Sequence, residues 1–275
     1  MKKPFLTLAQ AREIAAQYPT PFHIYDEAGI RRTARALLRA FDWNPSFREY
    51  YAVKAAPNPI LLQILREEGC GVDCSSYTEL ELARPVGFSG EEIMFSSNVT
   101  PSSDYLLAHE LEATLNLDDA SDVEVVSSLF PLPETMSLRF NPGGLFAIGN
   151  DIMDHPAEAK YGMTKEQLLS SIRVMQQRGV QHFGIHSFLA SNTLTNEYYP
   201  ALAEILFRLA VEVHEQTGAH IAFLNLSGGI GIPYRPEETE NDIFTIGQKV
   251  RLAYEKILVP AGMELSIYTE LGRYM

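Results

Sequence analysis

Eight short apolar runs recur along this chain, and helical patterns separate most of them. The runs lie at residues 50–54, 71–75, 93–97, 113–117, 136–140, 182–188, 221–226 and 265–269, and the clearest helical patterns at 59–68, 78–86, 102–111, 165–178, 198–217 and 242–259. Apolar strands that alternate with helices are typical of a parallel sheet covered by helices. The pattern predicts an α/β fold, a (β/α)8 TIM barrel, and disfavours an open doubly wound sheet because no G-x-G-x-x-G follows the first strand.

The composition excludes several classes of protein. A net charge of −13 argues against a nucleic-acid partner, because contacts with a phosphate backbone require clustered Lys and Arg. No apolar stretch approaches the ~18 residues that a membrane span needs. Cys70 and Cys74 are the only cysteines and have no partners at metal-binding spacing. We therefore expect a cytoplasmic protein with reduced thiols and no metal site.

Lys54 ends the first apolar run and precedes a Pro-containing segment, residues 55–59. A lysine at the mouth of a buried strand is unfavourable unless its ammonium is paired, solvated or used in chemistry. Burial lowers the pKa of a lysine, and a neutral amine can form a Schiff base with an aldehyde cofactor. A lysine that extends its ammonium to the rim of the sheet would explain the same position.

Polar or glycine-containing motifs stand at the ends of six predicted strands. They are Val53-Lys54-Ala55, Asp73-Cys74-Ser75-Ser76, Arg139-Phe140-Asn141-Pro142, His186-Ser187-Phe188-Leu189-Ala190-Ser191-Asn192, Ser227-Gly228-Gly229 and Glu270-Leu271-Gly272-Arg273. In this order they resemble the pyridoxal-phosphate-dependent decarboxylases with an alanine-racemase-like barrel, which include diaminopimelate, ornithine and arginine decarboxylases. The resemblance extends over about residues 20–275, and Ile-Gly-Ile-Pro-Tyr at residues 230–234 is most similar to the diaminopimelate branch.

The resemblance implies pyridoxal 5′-phosphate as the cofactor and Lys54 as the residue that forms a Schiff base with it. Independently, Ser227, Gly228 and Gly229 can present backbone N–H groups to a phosphate, because glycine lets an anion approach closely. A flexible strand-to-helix turn would have the same composition. Ser191 matches the phosphate-binding serine of the family, and a polar loop residue would explain it almost equally well.

The last motif carries two charged candidates. Arg273, after Gly272, would donate to the phosphate or to a substrate carboxylate, and an ion pair at the rim is the alternative. The resemblance places Glu270 beside the pyridine nitrogen, where a carboxylate keeps the ring protonated and able to accept electrons. A surface glutamate is the alternative for Glu270.

Four further residues follow from the resemblance. The family has acidic residues near the cofactor where this chain has Asp73 and Glu79, although Glu79 also suits the first turn of a helix. His186 lies inside the sixth predicted strand, where a histidine satisfied within the core is the simpler interpretation. Phe188 replaces the histidine that usually stacks on the cofactor ring, and it retains the apolar contact without the hydrogen bond.

The predicted reaction is decarboxylation of a diamino acid, most favourably of meso-diaminopimelate to L-lysine. The departures at Phe188 and at Leu271, where the family usually has proline, also allow a D-lysine or D-ornithine decarboxylase. A racemase fits less well. A non-catalytic barrel that binds the cofactor is a different class of function, which the retained Lys54, Ser191, Glu270 and Arg273 disfavour.

Neither end of the chain fits a simple barrel. Residues 44–275 are predicted to form the barrel, and residues 1–43 an extension with helices at 7–18 and 27–41 and a strand at 21–25. The resemblance implies that this strand joins a C-terminal β-domain, largely absent from these 275 residues, and that the full-length protein is a homodimer. It further implies that the chain binds the cofactor but has little turnover. A small amino acid is the expected partner, with no nucleic acid and no membrane.

Overall fold

The computed structural model describes residues 4–143 and 161–275. Within them, eight parallel strands form a closed barrel in sequence order. The strands are β1 (Arg48–Ala52), β2 (Gly71–Cys74), β3 (Ile93–Phe95), β4 (Thr114–Leu117), β5 (Thr135–Arg139), β6 (His182–His186), β7 (His220–Asn225) and β8 (Ser266–Thr269). The barrel closes where β1 pairs with β8, with Glu49 opposite Thr269. The predicted (β/α)8 barrel is confirmed.

Helices surround the barrel, except that the first helix has no buried residue. They are α1 (Leu8–Gln17), α2 (Glu27–Ala40), α3 (Pro59–Glu67), α4 (Tyr77–Ala83), α5 (Ser102–Glu110), α6 (Asp122–Leu129), α7 (Lys165–Gln177), α8 (Tyr198–Thr217) and α9 (Ile243–Ile257). The sequence did not predict α6, a short helix with three β-branched valines that weaken a helical pattern. None of the helices in the described ranges is long and apolar enough to cross a membrane.

The core has two parts, as expected for a barrel that is filled inside and covered outside. The larger cluster joins the outward side chains of the strands, such as Leu138 and Ile185, to the inner faces of the helices, such as Leu206. The smaller cluster contains Tyr50, Met94 and Phe223. A Cβ on Gly184 would lie 2.1 Å from the ring of Phe223, so glycine is needed on β6 for this ring to fit.

The strand predicted at residues 21–25 is expected to pair with a C-terminal β-domain and stays a prediction. This segment is not helical, but it belongs to no strand of the described sheet, and Tyr25 and Ile24 are exposed. An extended segment becomes a strand only where a neighbouring backbone offers matching N–H and C=O groups. The expected contribution of residues 1–43 to a second domain stays a prediction.

The end of β1 also differs from the prediction, and the difference concerns Lys54. The strand ends at Ala52, and Val53–Ala55 form one turn of 3-10 helix. Asn58 then caps α3 by accepting a hydrogen bond from the Ile60 N–H, with Pro59 in the first helical position. Lys54 thus leaves the sheet at the carboxyl end of the barrel.

Candidate active site

A cavity of about 680 Å³ opens among the carboxyl ends of the barrel strands. Ten of the eleven residues predicted to form the site line it: Lys54, Asp73, Phe188, Ser191, Ser227, Gly228, Gly229, Glu270, Gly272 and Arg273. The eleventh, His186, is fully buried and contacts Glu270. The parallel barrel brings these residues together because all of its strands end at the same rim.

Lys54 and Asp73 face each other at this rim. The Lys54 Nζ lies 3.8 Å from Asp73 Oδ2, and the Lys54 side chain is 60% exposed whereas Asp73 is almost completely buried. The other oxygen, Asp73 Oδ1, is buried with no hydrogen-bond partner among the described residues. Burial and the nearby Glu270 charge raise the pKa of Asp73, and the Lys54 ammonium opposes that shift. The buried Asp73 carboxyl is therefore the acidic group that faces the Lys54 amine at this rim.

Glu79 is explained by local structure. Its carboxylate accepts a hydrogen bond from the Ser75 N–H at 2.9 Å, and its own N–H donates to the hydroxyl of Ser76, the N-cap of α4. This is the arrangement of a first-turn acidic residue at a helix N-terminus. The helical interpretation of Glu79 accounts for its position.

Glu270 directly follows β8, and four side chains donate hydrogen bonds to its buried carboxylate. Oε1 accepts from Asn225 Nδ2 at 2.7 Å and from Ser96 Oγ at 3.3 Å; Oε2 accepts from Ser227 Oγ at 2.7 Å and lies 3.0 Å from His186 Nε2. Burial alone would raise the pKa of Glu270. The hydrogen bonds from His186 and from the Ser227 hydroxyl, with the charge of Lys54, outweigh it and lower the pKa to about 2.

The hydrogen bonds of His186 define its tautomer. Arg139 Nε donates to His186 Nδ1 at 3.2 Å, so Nδ1 carries a lone pair and the ring proton is on Nε2, directed at Glu270. Arg139 is itself paired with Asp118, at 2.7 Å between NH1 and Oδ1. Burial lowers the pKa of His186, and the neighbouring Glu270 carboxylate opposes that shift. His186 therefore hydrogen-bonds to Glu270 from the buried side of the site, and its own side chain is not exposed in the cavity.

The turn at residues 227–229 is constrained by close contacts. A Cβ on Gly228 would lie 2.9 Å from the backbone oxygen of Glu270, and Gly229 has φ +127° and faces the Tyr198 ring. The Ser227 N–H is occupied by the Asn225 side chain, at 2.8 Å from Oδ1. In the part of the chain that the structure describes, the N–H groups of Gly228 and Gly229 donate to no other protein group. These two N–H groups, rather than that of Ser227, can meet an anion.

Gly272 and Arg273 complete this side of the cavity. A Cβ on Gly272 would lie 2.6 Å from the Cβ of Ala55, so glycine permits the segment after β8 to pass close to the Lys54 turn. Arg273 is exposed, and its guanidinium donates to the Tyr234 hydroxyl and lies 5.7 Å from the centre of that ring. A charged guanidinium at the rim is thus held by an aromatic residue rather than by a carboxylate.

Phe188 and Ser191 follow β6 and line the same cavity. Phe188 is partly buried, and its ring passes close to Gly228. Between them, the N–H groups of Leu189 and Ala190 donate to the buried Tyr198 hydroxyl at 3.3 and 3.1 Å. Tyr198 therefore orders the segment that presents Phe188 and Ser191 to the cavity.

Three residues that contact this network were given no role from the sequence, although Arg139 begins one of the strand-end motifs. Ser96 and Asn225 donate to Glu270, and Arg139 donates to His186. Each is a polar residue at the end of a largely apolar strand, and this position is the sequence feature that could have identified it as part of the site. A buried polar side chain requires a partner, so such positions deserve the same weight as the motif residues.

A family model, "Pyridoxal-dependent decarboxylase, pyridoxal binding domain", matches residues 27–275. The chain belongs to this family. The resemblance inferred from the strand-end motifs is confirmed. Protein TabA of Pseudomonas amygdali pv. tabaci is 35% identical over 263 residues, which are 96% of this chain and 61% of TabA. Diaminopimelate decarboxylase of Methanothermobacter thermautotrophicus is 32% identical, with 97% of this chain and 63% of that protein covered.

A solved structure supports the fold. Diaminopimelate decarboxylase from Helicobacter pylori, complexed with L-lysine, superposes with a TM-score of 0.81 and covers 96% of this chain and 66% of that one. At 23% identity this likeness concerns the fold alone. The chain spans about three-fifths of the length of the curated relatives named above.

The cavity fits pyridoxal phosphate in three respects. Lys54 provides an amine beside a carboxylate, and Gly228 and Gly229 provide unoccupied N–H groups where any larger residue would collide with the backbone or with a ring. Glu270 provides an ionised carboxylate that is held by donors on several strands. The cavity volume is also within the range of small-molecule sites.

Proposed function

We propose that this chain forms the cofactor-binding barrel of a pyridoxal-phosphate-dependent decarboxylase that acts on a diamino acid. The favoured reaction is conversion of meso-diaminopimelate to L-lysine. The observation that carries the proposal is the single cavity that contains Lys54 beside Asp73, the Gly228-Gly229 turn and the buried Glu270 carboxylate. When bound, the cofactor supplies a ring that accepts the electron pair left after CO2 departs.

Lys54 and Asp73 would handle the covalent attachment. Lys54 would bind the cofactor aldehyde through Nζ, and Asp73 Oδ2, 3.8 Å away, would lie beside this amine. Burial and the charge of Glu270 raise the pKa of Asp73, and the charge of Lys54 opposes that shift.

Glu270 would hold a proton at the ring nitrogen of the cofactor. Its low pKa keeps the carboxylate ionised, and donors from Asn225, Ser227 and His186 restrict its orientation. A fixed charge in a buried site stabilises a developing charge more strongly than a mobile one in water. Glu270 would thereby strengthen the electron-accepting character of the ring.

The phosphate would lie at the N–H groups of Gly228 and Gly229, near Ser191 and Arg273. The two glycine N–H groups are unoccupied in the described protein, and the Arg273 guanidinium carries a full positive charge at the same rim. Arginine forms bidentate hydrogen bonds with phosphate and with carboxylate. Arg273 is therefore a candidate for either the cofactor phosphate or a substrate carboxylate.

The substrate proposal depends on the relatives. Several relatives at 28–32% identity are named diaminopimelate decarboxylase, which favours meso-diaminopimelate. The alternative is a D-lysine or D-ornithine decarboxylase, and Phe188 is the observation that favours it. Phe188 lines the cavity where the family usually has histidine, so the cofactor face differs from the common pattern.

A panel assay tests the proposal. The full-length protein, which includes the C-terminal domain expected from the family, is supplied with pyridoxal phosphate and incubated with meso-diaminopimelate and with the L- and D-forms of lysine and ornithine, and CO2 release is measured. Release from meso-diaminopimelate alone supports the favoured reaction, and release from a D-diamino acid supports the alternative. A bound cofactor with no CO2 release from any substrate would favour a non-catalytic barrel.

Assembly and location are further parts of the proposal. We infer a homodimer for the protein in its active form and a cytoplasmic location, the latter consistent with the free, buried Cys70 and Cys74. Light scattering during size-exclusion chromatography measures the oligomeric state directly, and an active protein that is monomeric would contradict the proposed homodimer.

A further inference from the structure

Glu49 is a fully buried carboxylate that lies outside the cavity. It is on β1, in register with Thr269 of β8, and none of its surface is exposed. Its Oε1 accepts a hydrogen bond from the Leu271 N–H at 2.7 Å, and its Oε2 is hydrogen-bonded to the Thr269 hydroxyl. Burial of an acidic group costs a large desolvation free energy, so a glutamate at this buried position calls for an explanation.

The two contacts of Glu49 lie on either side of Glu270. Thr269 and Leu271 are both buried, and Leu271 belongs to the core between the barrel and its helices. Glu270, between them, faces the cavity. Because successive side chains of an extended segment point in opposite directions, a partner that fixes both neighbours also fixes the residue between them.

Glu270 lies beyond the last residue of β8, where the sheet no longer holds the chain at every position. Its own N–H donates to the Ser227 backbone oxygen at 2.8 Å, but the next N–H, that of Leu271, is bonded to Glu49. Without Glu49, the buried N–H of Leu271 would lose its hydrogen-bond acceptor. Because an unpaired buried N–H is unfavourable, the segment would have to move until this group found another acceptor.

We propose that Glu49 is a positioning residue, which holds Thr269 and Leu271 so that the Glu270 carboxylate stays directed into the cavity. The inference deepens the proposed function, since it rests on Glu270 facing the ring nitrogen of the cofactor. Glu49 acts from the helix side of the barrel and touches neither cofactor nor substrate.

The surroundings of Glu49 determine whether its carboxyl group is protonated or ionised when it holds Thr269 and Leu271. Burial, with the charges of Glu270 and Asp73, raises the pKa of Glu49 to about 8, against the hydrogen bonds from Thr269 and Leu271. The other titratable groups that sense Glu49 are uncharged at neutral pH: Tyr51 of β1, Cys70 before β2 and Tyr199 of α8. A protonated Glu49 donates to the Thr269 oxygen through Oε2 and still accepts from Leu271 through Oε1.

This geometry makes glutamine a close substitute. In Glu49→Gln, the side-chain NH2 can donate to Thr269 and the carbonyl oxygen can accept from Leu271. In Glu49→Ala, both contacts are lost. The matched control is Tyr254→Phe, which removes a buried hydroxyl bonded to both the N–H and the carbonyl of Leu265, just before β8 and at its other end.

The experiment measures the dissociation constant for pyridoxal phosphate by absorbance titration, together with the thermal unfolding temperature of the cofactor-free protein. We expect Glu49→Ala to weaken cofactor binding on the order of tenfold, and Glu49→Gln to bind within about twofold of wild type. Tyr254→Phe should lower the unfolding temperature but leave the dissociation constant unchanged. Binding by Glu49→Ala that matches wild type, or that is weakened no more than in Tyr254→Phe, would overturn the role of Glu49.

A pH series decides the question if Glu49→Ala does not fold. Wild type loses the proton of Glu49 above about pH 8, whereas glutamine cannot ionise. The ionised Glu49 keeps both contacts but repels the Glu270 carboxylate that they hold nearby. Cofactor affinity should therefore fall more steeply in wild type than in Glu49→Gln between pH 7 and 9.5, and identical profiles would overturn the proposal. A wild-type protein that takes up no cofactor would overturn the proposed function and the role of Glu49 with it; all other failures concern Glu49 alone.

Discussion

The imidazole of His186 donates its only ring proton to the carboxylate of Glu270, at 3.0 Å between Nε2 and Oε2, in a fully buried pair. The direction of this hydrogen bond is set from the other side, because Arg139 occupies Nδ1 as a donor. The arrangement keeps Glu270 an acceptor with a low pKa, although burial by itself would favour a neutral acid.

Replacement of His186, which removes this hydrogen-bond donor, should change how the free energy of unfolding depends on pH in the acidic range. The folded pKa of Glu270 is below the ordinary value of 4.5, so its contribution to stability is present above pH 4.5 and is lost as the pH falls towards 2. In His186→Leu that contribution is smaller. The difference in unfolding free energy between wild type and variant should therefore narrow from pH 6 to pH 3, as measured by urea denaturation. On a Glu270→Gln background only the titration of His186 itself remains, so the difference should vary less with pH; an equal pH dependence in both backgrounds would contradict the pairing.

Lys54 should be the site of covalent attachment. Borohydride reduction of the protein with pyridoxal phosphate is expected to leave a stable adduct on Lys54, because this amine alone faces Asp73 in the cavity that the structure describes. Lys54→Ala should abolish the adduct while retaining the fold, as judged by circular dichroism. Peptide mass spectrometry locates the modification, and an adduct on another lysine, such as Lys160 outside the described residues, would show the assignment to be wrong.

Glu270→Gln should separate cofactor binding from catalysis. The amide keeps the shape of the side chain, so the cofactor should still bind, but it cannot keep the ring nitrogen protonated. We expect decarboxylation to slow by about 100-fold or more, since the lost interaction strengthens as charge develops. Cofactor absorbance and CO2 release are measured on the same sample. Near-normal turnover would remove Glu270 from the mechanism.

Gly228→Ala should weaken cofactor binding. The added Cβ would lie 2.9 Å from the backbone oxygen of Glu270, so the turn must shift and its N–H groups with it. Gly29→Ala is the control, because its Cβ would meet only the flexible Asp26 side chain on α2. We expect an affinity loss of about tenfold or more for Gly228→Ala and none for Gly29→Ala. Equal affinities in a titration with pyridoxal phosphate would exclude this turn as the phosphate site.

Because of Glu49, the free energy of unfolding should decrease as the pH rises. Glu49 has a folded pKa of about 8, above the ordinary 4.5, so its favourable contribution is complete below pH 4.5 and is lost as the pH rises through 8. Relative to Glu49→Gln, the wild type should lose up to about 1.4 kcal/mol of unfolding free energy per pH unit across this window. Chemical denaturation at pH 5, 6.5 and 8 measures the difference. A difference that does not change with pH would show that Glu49 has an ordinary pKa.

The site was predictable where a motif residue touches the cavity directly. Lys54, Gly228 and Glu270 could be assigned because each follows an apolar run, and the strand ends of a parallel barrel converge. Arg139, Ser96 and Asn225 could not be assigned in this way, because their roles depend on which strands are neighbours across the barrel. The pairing expected of residues 21–25 could not be assigned from the sequence for a related reason, since pairing depends on a partner that a local pattern does not contain.

By itself the sequence determined the class of fold and the chemical groups at its rim, because strand and helix periodicity and the residues at strand ends are local properties. Only the tertiary structure decided which groups act on one another. The Glu49 contact with Leu271 joins residues 222 positions apart, and the His186 contact with Glu270 joins residues 84 apart. Protonation states follow from such contacts and from burial, and both arise only when the barrel closes between β1 and β8.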